Sequence, residues 1–333
     1  MKKEKPFKTI DEQISILKER GLLFLNEPAA RDTLITFGYY EIINGYKYSF
    51  LIDPKDDTKG FKPNTTFEHI FALFELDRKL RIYVLDAMER FEQSFKQALA
   101  YVIAGEISEI SSRYLAVSHY NTGRARRGRS KNDREFLLFN CQKVLKNEND
   151  PYKYYHDKYG NIPPWILVKG LQFGNAIALF KLSKPTIRNK VICRMTNIDY
   201  ELLDSIDEDF SVRQSFNDLL ALFLNYRNIA AHGGRIYSHR TKKYKVRNSR
   251  FIYRDNFFMH LDENSNKNFN SSLGLIIRAL DLFRDANNYS ELLAHTQVAL
   301  ESYFDKYPDD RDFIFRETQL KNTYIERITK RTI

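Results

Sequence analysis

Apolar positions recur at helical spacing along most of this chain. From Thr65 to Ala104 there is no Gly or Pro, so nothing interrupts the pattern. The repeated apolar positions are Leu73, Leu76, Leu80, Val84, Met88, Phe91, Phe95, Ala98 and Val102. This spacing predicts one long amphipathic helix, or two helices joined by a kink. At ~1.5 Å per residue, it would extend over roughly 50–60 Å.

Shorter segments with the same period lie on both sides of the long helix. Further helices are predicted over 8–20, after Pro28, from Glu135, and over 166–182, 212–231, 271–285 and 290–305. Gly233-Gly234 supplies a stop for the helix that reaches Ala231. There is no internal repeat and no extended alternation of apolar and polar residues. The expected fold class is therefore all-α, with room for one small hairpin at most.

The turn-rich segment 52–64 separates the first helices from the long one. Its aspartates, Asp53, Asp56 and Asp57, suit a solvated loop better than a cation site. The expected domain organisation follows from this division: an N-terminal helical region over 1–64, a helical domain over 65–310 with basic loops at 121–134 and 235–254, and a C-terminal helical tail over 311–333.

Composition limits the class of protein. Hydrophobic residues make up 43% of the chain and charged residues 29%, which is typical of a globular protein and excludes a disordered one. Cys141 and Cys193 lie far apart, which suits a reducing compartment and gives neither a disulfide framework nor zinc-ligand spacing. No apolar run is long enough to cross a bilayer, and the N-terminus lacks a secretory signal. We therefore expect a cytoplasmic protein that does not enter a membrane.

The formal net charge of +10 favours a polyanionic partner, either nucleic acid or an anionic membrane surface. Cations are concentrated in the two basic loops, and in the second of them, 235–254, aromatic residues are interleaved with the cations. The predicted RNA-binding residues are Arg124, Arg126, Arg127, Arg129, Arg235, Arg240, Lys242, Lys243, Tyr244, Lys245, Arg247 and Arg250.

Aromatic residues in the second loop admit two interpretations. They are Tyr237, Tyr244, Phe251 and Tyr253. Cations that bind phosphates beside rings that stack on unpaired bases are the usual means of holding single-stranded or looped RNA. Alternatively, the loop is solvated and its rings anchor it to the core.

Candidate catalytic residues lie at the end of the helix predicted over 212–231, where Arg227 and Asn228 precede His232. Cleavage of RNA without a metal needs a group that takes the 2′-hydroxyl proton and a cation that stabilises charge on the phosphoryl group. Histidine suits proton transfer because its ordinary pKa is about 6.5. Arginine suits the phosphate because it is always charged and has forked donors. The products would be a 2′,3′-cyclic phosphate and a 5′-hydroxyl.

The spacing of this pair leaves other interpretations open. Five residues along an ideal helix rotate by about 140°, so Arg227 and His232 would not share a face. Either the helix ends before His232, or two copies of the pair meet across an interface. The two side chains could also serve only to interact with the helix dipole.

Several separated motifs resemble the abortive-infection (Abi-like, AbiD/AbiF) family of bacterial phage-defence proteins, which belongs to the HEPN superfamily. The segment 224–232 with Arg235 is similar to the C-terminal motif of that family, and 76–81 with Glu89-Arg90-Phe91-Glu92 and Lys96 is similar to its first long helix. Further landmarks are Gly38-Tyr39-Tyr40, Asn44-Gly45-Tyr46, Pro164-Trp165 and Phe173-Gly174.

The resemblance implies a HEPN-type helical bundle with an N-terminal helical extension and basic loop insertions. It implies that Arg227 and His232 are the catalytic pair of a metal-independent endoribonuclease, that Asn228 supports them, and that Glu92, Lys96 and Arg235 lie next to the site. It also implies a homodimer with a composite site, RNA as target, restraint by a noncoding RNA, and no cofactor.

Three alternatives remain at this level. Glu92 and Lys96 could form an ordinary i,i+4 ion pair. The chain could be a non-catalytic RNA-binding or scaffold protein that kept the fold and lost the chemistry. A protein of the membrane surface is the third alternative, since anionic lipid would also attract the basic loops.

Overall fold

The computed structural model describes residues 6–125, 131–252 and 270–320. Within these ranges the secondary structure is helical, and the only β-type pairs are isolated bridges such as Leu51 with Phe61. The all-α prediction is therefore confirmed, and no hairpin forms in the described residues. No helix in these ranges is long and apolar enough to cross a membrane.

The long helix is a single element. It begins at Phe67 and ends at Glu106, so the alternative of two helices joined by a kink is wrong. Its repeated apolar side chains are buried along the whole length, from Leu73 to Val102. Because one continuous stripe is buried and no Gly or Pro occurs before Gly105 in the last turn, nothing favours a break within the helix.

The helices are numbered here in chain order. They are α1 (Ile10–Glu19), α2 (Glu27–Phe37), α3 (Phe67–Glu106), α4 (Ser111–Tyr114), α5 (Asp133–Leu145), α6 (Tyr152–Tyr159), α7 (Pro164–Gly170), α8 (Phe173–Leu182), α9 (Pro185–Thr196), α10 (Leu203–Phe210), α11 (Val212–Ala231), α12 (Leu273–Leu280), α13 (Ala286–Phe304) and α14 (Arg311–Thr318). A π-helical turn over Tyr40–Asn44 follows α2.

Capping residues set several of these helix starts. Thr9 and Asn132 each form a capping box with the Glu three residues later, at the starts of α1 and α5. The Asn26 side chain accepts a hydrogen bond from the Ala29 N–H at the start of α2. These caps satisfy backbone donors that have no partner inside the helix, so each helix begins at a defined residue.

Two predicted helices are shorter than expected. The helix predicted over 166–182 is two helices, since Gly170 ends α7 and Leu171 adopts an extended conformation with its side chain buried. A Cβ at Gly170 would lie 2.6 Å from the Val144 Cγ1 atom, so this close approach requires glycine. The helix predicted over 271–285 ends at Leu280, although the side chains that follow, Leu282 and Phe283, remain buried.

The chain divides into two compact units. The first comprises Met1–Tyr83, Gly233–Tyr237 and Ala294–Ile333, and the second comprises Val84–His232 and Ser238–Leu293. The residues beyond 320, which belong to the expected C-terminal tail, lie outside the described residues.

Aromatic side chains build much of the core in the second unit. The Phe91 ring lies edge-on to Phe223 of α11 and to Phe283, with ring centroids 4.7 and 4.8 Å apart respectively. Phe95 is edge-on to Phe180 of α8, with centroids 5.7 Å apart. These contacts join α3 to α8 and α11, so the position of α11 is fixed by large buried side chains.

Candidate functional site

Helix α11 carries Arg227 and Asn228 and ends immediately before His232. The cap residue His232 has φ −103° and ψ 17°, and its backbone N–H donates to the Asn228 carbonyl at 3.1 Å. Gly233 then adopts φ +76°, the left-handed conformation that ends a helix at little cost for glycine. The predicted Gly-Gly stop is confirmed, and the helix ends before His232.

The Arg227 side chain belongs to a cluster with Glu92 and Lys96 of α3. Nε of Arg227 lies 3.6 Å from Oε2 of Glu92, and Nζ of Lys96 lies 2.5 Å from Oε1 of the same carboxylate. Only 11% of the Glu92 side chain and 13% of the Lys96 side chain are exposed, against 34% for Arg227. The i,i+4 pair is therefore present, but its carboxylate is shared with Arg227.

One carboxylate and two cations give this cluster an excess positive charge. Burial lowers the effective dielectric around it, so its attraction for an anion is stronger than that of an exposed surface pair. Among the described residues, the buried Nε atom of Arg227 has no hydrogen-bond partner, since the 3.6 Å ion pair is too long for one. Nε itself is buried, so a phosphate would approach the exposed part of the Arg227 side chain, towards which the excess positive charge attracts it.

Asn228 and His232 are both exposed and lie one helical turn apart. No hydrogen bond joins the side chains of Arg227 and His232 within the part of the chain that the structure describes. A single chain thus presents the two parts separately: a half-buried cation held by Glu92, and an exposed imidazole at the helix end.

His239, for which the sequence pattern predicts no role, contacts Asn225 and Tyr226 of α11. Its Nε2 atom is 2.9 Å from Oδ1 of Asn225, and its ring is edge-on to Tyr226 with centroids 5.0 Å apart. Burial lowers the pKa of His239 to about 4, so this ring is neutral at physiological pH. It serves to anchor the start of the basic segment to α11.

Asp77 is a second residue for which the sequence predicts no role, although it lies in the segment 76–81 that resembles the family. In the first unit its buried carboxylate accepts the backbone N–H groups of Ile236 and Tyr237 at 2.9 and 2.7 Å. It also accepts the Tyr46 hydroxyl at 2.6 Å. Burial raises the pKa of Asp77, while these three donors oppose that change. The carboxylate fixes the short segment that follows Gly233.

Arg235 lies in the same short segment of the first unit. Its Nη1 atom donates to the Gly45 carbonyl at 2.5 Å, although the side chain is exposed. Arg81 donates to the Gly233 carbonyl at 3.1 Å. The landmark Asn44-Gly45-Tyr46 therefore contacts Arg235 and Asp77, two residues far from it in sequence.

Some of the predicted RNA-binding cations already have partners within the fold, and Arg247 has one although 62% of its side chain is exposed. Lys242, Lys243, Lys245, Arg250 and Arg124 are exposed. Arg247 makes a forked ion pair with Asp218, both bonds being 2.8 Å long, and Arg240 donates to the His239 carbonyl at 2.7 Å. Arg126, Arg127 and Arg129 lie outside the described residues.

Two aromatic side chains of the basic segment are unavailable to bases. Tyr237 and Phe251 are buried, each being 4% exposed, so the prediction that their rings stack on RNA is wrong for both. Their rings anchor the segment because burying so much apolar surface is favourable. Tyr244 is partly exposed, with Nζ of Lys243 5.0 Å from its ring centroid, and Tyr253 lies outside the described residues.

Among the described residues, no group of three or more His, Cys, Asp and Glu side chains is placed to hold a metal ion. The family model described as "Abi-like protein" matches residues 32–238, which is more than half of the chain. That range includes Glu92, Lys96, Arg227, His232 and Arg235. No curated protein and no solved structure gives a match.

Proposed function

Since the chain belongs to the Abi-like family, whose role is abortive infection in phage defence, we propose that it is a metal-independent endoribonuclease that acts through Arg227 and His232. The observation that carries this proposal is that one carboxylate, that of Glu92, contacts both Lys96 of α3 and Arg227 of α11. An exposed histidine, His232, follows five residues after Arg227, at the helix end.

The proposed chemistry needs two proton transfers and one stabilised intermediate. The 2′-hydroxyl of a ribose loses its proton to a base, and its oxygen forms a bond to the adjacent phosphorus. The bond from phosphorus to the 5′-oxygen breaks, and that oxygen takes a proton. Arg227 stabilises the added negative charge on the phosphoryl oxygens, because a guanidinium is permanently charged and donates two parallel hydrogen bonds. His232 transfers protons.

A homodimer would supply the second histidine. One imidazole cannot be the base and the acid in the same step, whereas two His232 side chains from two chains can divide these roles. His232 is exposed at the end of α11, so a second chain can approach it. We propose this composite site as the active form of the protein.

The basic segment after α11 is proposed to hold RNA by its phosphates. Lys242, Lys243 and Lys245 are exposed and lie within four consecutive positions. Such a group of cations suits binding of the phosphates of a single strand. A noncoding RNA bound along this segment could hold two chains so that their Arg227 and His232 pairs do not meet. Such restraint would keep the nuclease inactive in uninfected cells.

The test compares RNA in cells that express the wild type, His232→Ala or His156→Ala. His156 is an exposed histidine on α6 and is the matched control. We expect new 2′,3′-cyclic phosphate ends with the wild type and with His156→Ala, and none with His232→Ala. RNA that is copurified with the protein should be the same for all three. Identical cellular ends for all three, with bound RNA present, would show a non-catalytic RNA-binding scaffold.

A further inference from the structure

The second unit contains a cavity of about 360 Å³ that the nuclease proposal does not use. It lies among α3, the C-terminal end of α9 and the segment from Leu280 to Asn288. Cavities of this size are typical of small-molecule sites when an apolar lining is combined with a few placed polar groups.

The floor of this cavity is apolar and partly aromatic. It is formed by Phe91, Ala98, Met195, Leu280 and Phe283, all of them buried. The Phe91 and Phe283 rings are edge-on to each other with centroids 4.8 Å apart. A flat ring inserted here would lie against carbon atoms and an aromatic surface, which is a favourable environment for a base.

The rim of the cavity is cationic. Arg194 and Arg284 are both exposed, and Nε of Arg284 donates to the Arg194 carbonyl at 3.1 Å. The backbone N–H of Arg284 donates to the Met195 carbonyl at 2.8 Å, so the two chain segments that carry these arginines are tied together. The Arg194 guanidinium lies 3.8 Å from the ring centroid of Tyr101, which limits its movement.

One carboxylate also lines the cavity, and it is already paired. Asp285 accepts hydrogen bonds from Nε of Arg90 at 2.9 Å and from Nη2 of Arg90 at 3.4 Å. The Asn288 backbone N–H donates to it at 3.3 Å. Arg90 also donates to Glu291 at 2.7 Å, so it is shared between two acids. The cavity lining itself carries two arginines against this one carboxylate, which leaves the rim attractive to an anion.

The cavity and the Arg227 cluster are different sites. Phe91 lines the cavity, and the next residue, Glu92, binds Arg227. Consecutive residues on a helix point about 100° apart, so the two sites use different faces of α3.

We propose that this cavity binds a single nucleotide, with its base on the apolar floor and its phosphate at Arg194 and Arg284. Ser94 and Gln97 also line the cavity and offer a hydroxyl and an amide to the polar edge of the base. Guanidinium groups match phosphate oxygens through forked, charge-assisted hydrogen bonds. The floor and the rim together therefore suit a ligand that is aromatic at one end and anionic at the other.

Calorimetry with the full chain tests this proposal, with adenosine 5′-monophosphate, adenosine and inorganic phosphate as separate probes. We expect the monophosphate to bind at least about tenfold more tightly than either part, because only it uses both floor and rim. The double variant Arg194→Gln/Arg284→Gln should weaken monophosphate binding by about tenfold or more. Lys169→Gln, an exposed cation on α7, is the matched control and should bind as the wild type does.

A second variant tests the cavity itself. Ser94→Phe keeps both arginines but fills the space between floor and rim, so monophosphate binding should be lost while the melting temperature stays close to that of the wild type. Equal affinity for phosphate and monophosphate would overturn the proposal, as would undiminished binding by the arginine variant. Failure of every probe to bind would overturn it too, and would leave the nuclease proposal unaffected.

The source of the nucleotide can be distinguished in the same assay. A 5′-phosphorylated RNA decamer with 2′-O-methyl groups cannot be cleaved by 2′-oxygen attack. If it displaces the monophosphate from the wild type, the ligand is the 5′-phosphorylated end of an RNA strand. If it does not displace the monophosphate, the ligand is a free nucleotide.

Discussion

Glu92 and Arg227 are 135 positions apart in sequence, yet Oε2 of the carboxylate lies 3.6 Å from Nε of the guanidinium. The other carboxylate oxygen binds Lys96. Glu92 therefore fixes where the positive charge of Arg227 lies, and it does so from a helix whose apolar face is buried along its length. If Arg227 stabilises a phosphoryl intermediate, Glu92 is its positioning residue.

Glu92→Gln should lower the kcat of RNA cleavage by about tenfold to a hundredfold and leave KM nearly unchanged, because Arg227 would lose its partner. It should also destabilise the fold, since Lys96 would be a buried cation without a carboxylate. The double variant Glu92→Gln/Lys96→Met separates the two effects: stability should recover while kcat stays low. Recovery of kcat together with the melting temperature would show that Glu92 has only a structural role.

Replacing Lys242, Lys243 and Lys245 together by Gln should weaken binding of a 2′-O-methyl RNA strand. The slope of log K against log salt should decrease in magnitude by about 2, because each phosphate contact on a single strand contributes about 0.7. Arg247→Gln is the control, since Asp218 already engages that guanidinium through two bonds of 2.8 Å. Equal salt slopes for the wild type and the triple variant would exclude these lysines from RNA binding.

Asp77→Ala should destabilise the protein by about 3 kcal/mol or more, because three donors would lose their acceptor inside the fold. Asp77→Asn keeps an oxygen for the two backbone N–H groups and should cost about 1 kcal/mol. Urea unfolding measures both changes, with Tyr46→Phe as a control that removes one donor. A loss for Asp77→Ala no larger than that for Tyr46→Phe would contradict the role of the carboxylate in holding 233–237.

His239 should make folding stability depend on pH. Burial lowers the pKa of this folded-state imidazole to about 4, whereas its ordinary value in an unfolded chain is about 6.5. The unfolded chain therefore takes up a proton first, and stability is lost as pH falls below about 6.5. The loss between pH 7 and 5 should be about 1 kcal/mol, a value reduced for the partial exposure of the ring.

The comparison that isolates this effect is urea unfolding of the wild type and of His239→Gln at both pH values. Gln retains a donor for the Asn225 side chain but does not titrate. The wild type should lose about 1 kcal/mol more than the variant between pH 7 and 5. The same loss in both proteins would mean that His239 does not contribute.

Local features of the chain were predictable because they depend on neighbouring residues. The long helix, the bounds of the helix over 212–231 and its stop at Gly233 follow from apolar spacing and from the freedom of glycine at positive φ. Arg227, Asn228 and His232 could be selected from the same segment, since their chemistry and their place at a helix end are visible in sequence.

Tertiary packing decided what periodicity does not encode. Burial of Leu171 divides the helix predicted over 166–182, and burial of Tyr237 and Phe251 removes two rings from a segment whose composition suggested RNA stacking. Asp218 engages Arg247 while the neighbouring lysines remain exposed. Periodicity assigns a residue to a face, but only the packed neighbours decide whether that face is covered.

The fold class, the main helices and the residues able to do chemistry can be inferred from the sequence, because backbone hydrogen bonding and apolar period act over a few residues. Three relationships depend on tertiary packing: Glu92 contacts both Lys96 and Arg227, Asp77 holds the segment after Gly233, and Arg194 and Arg284 border one cavity. These relationships join residues distant in sequence, and the burial of large side chains between helices, which brings them together, is a property of the whole packed core.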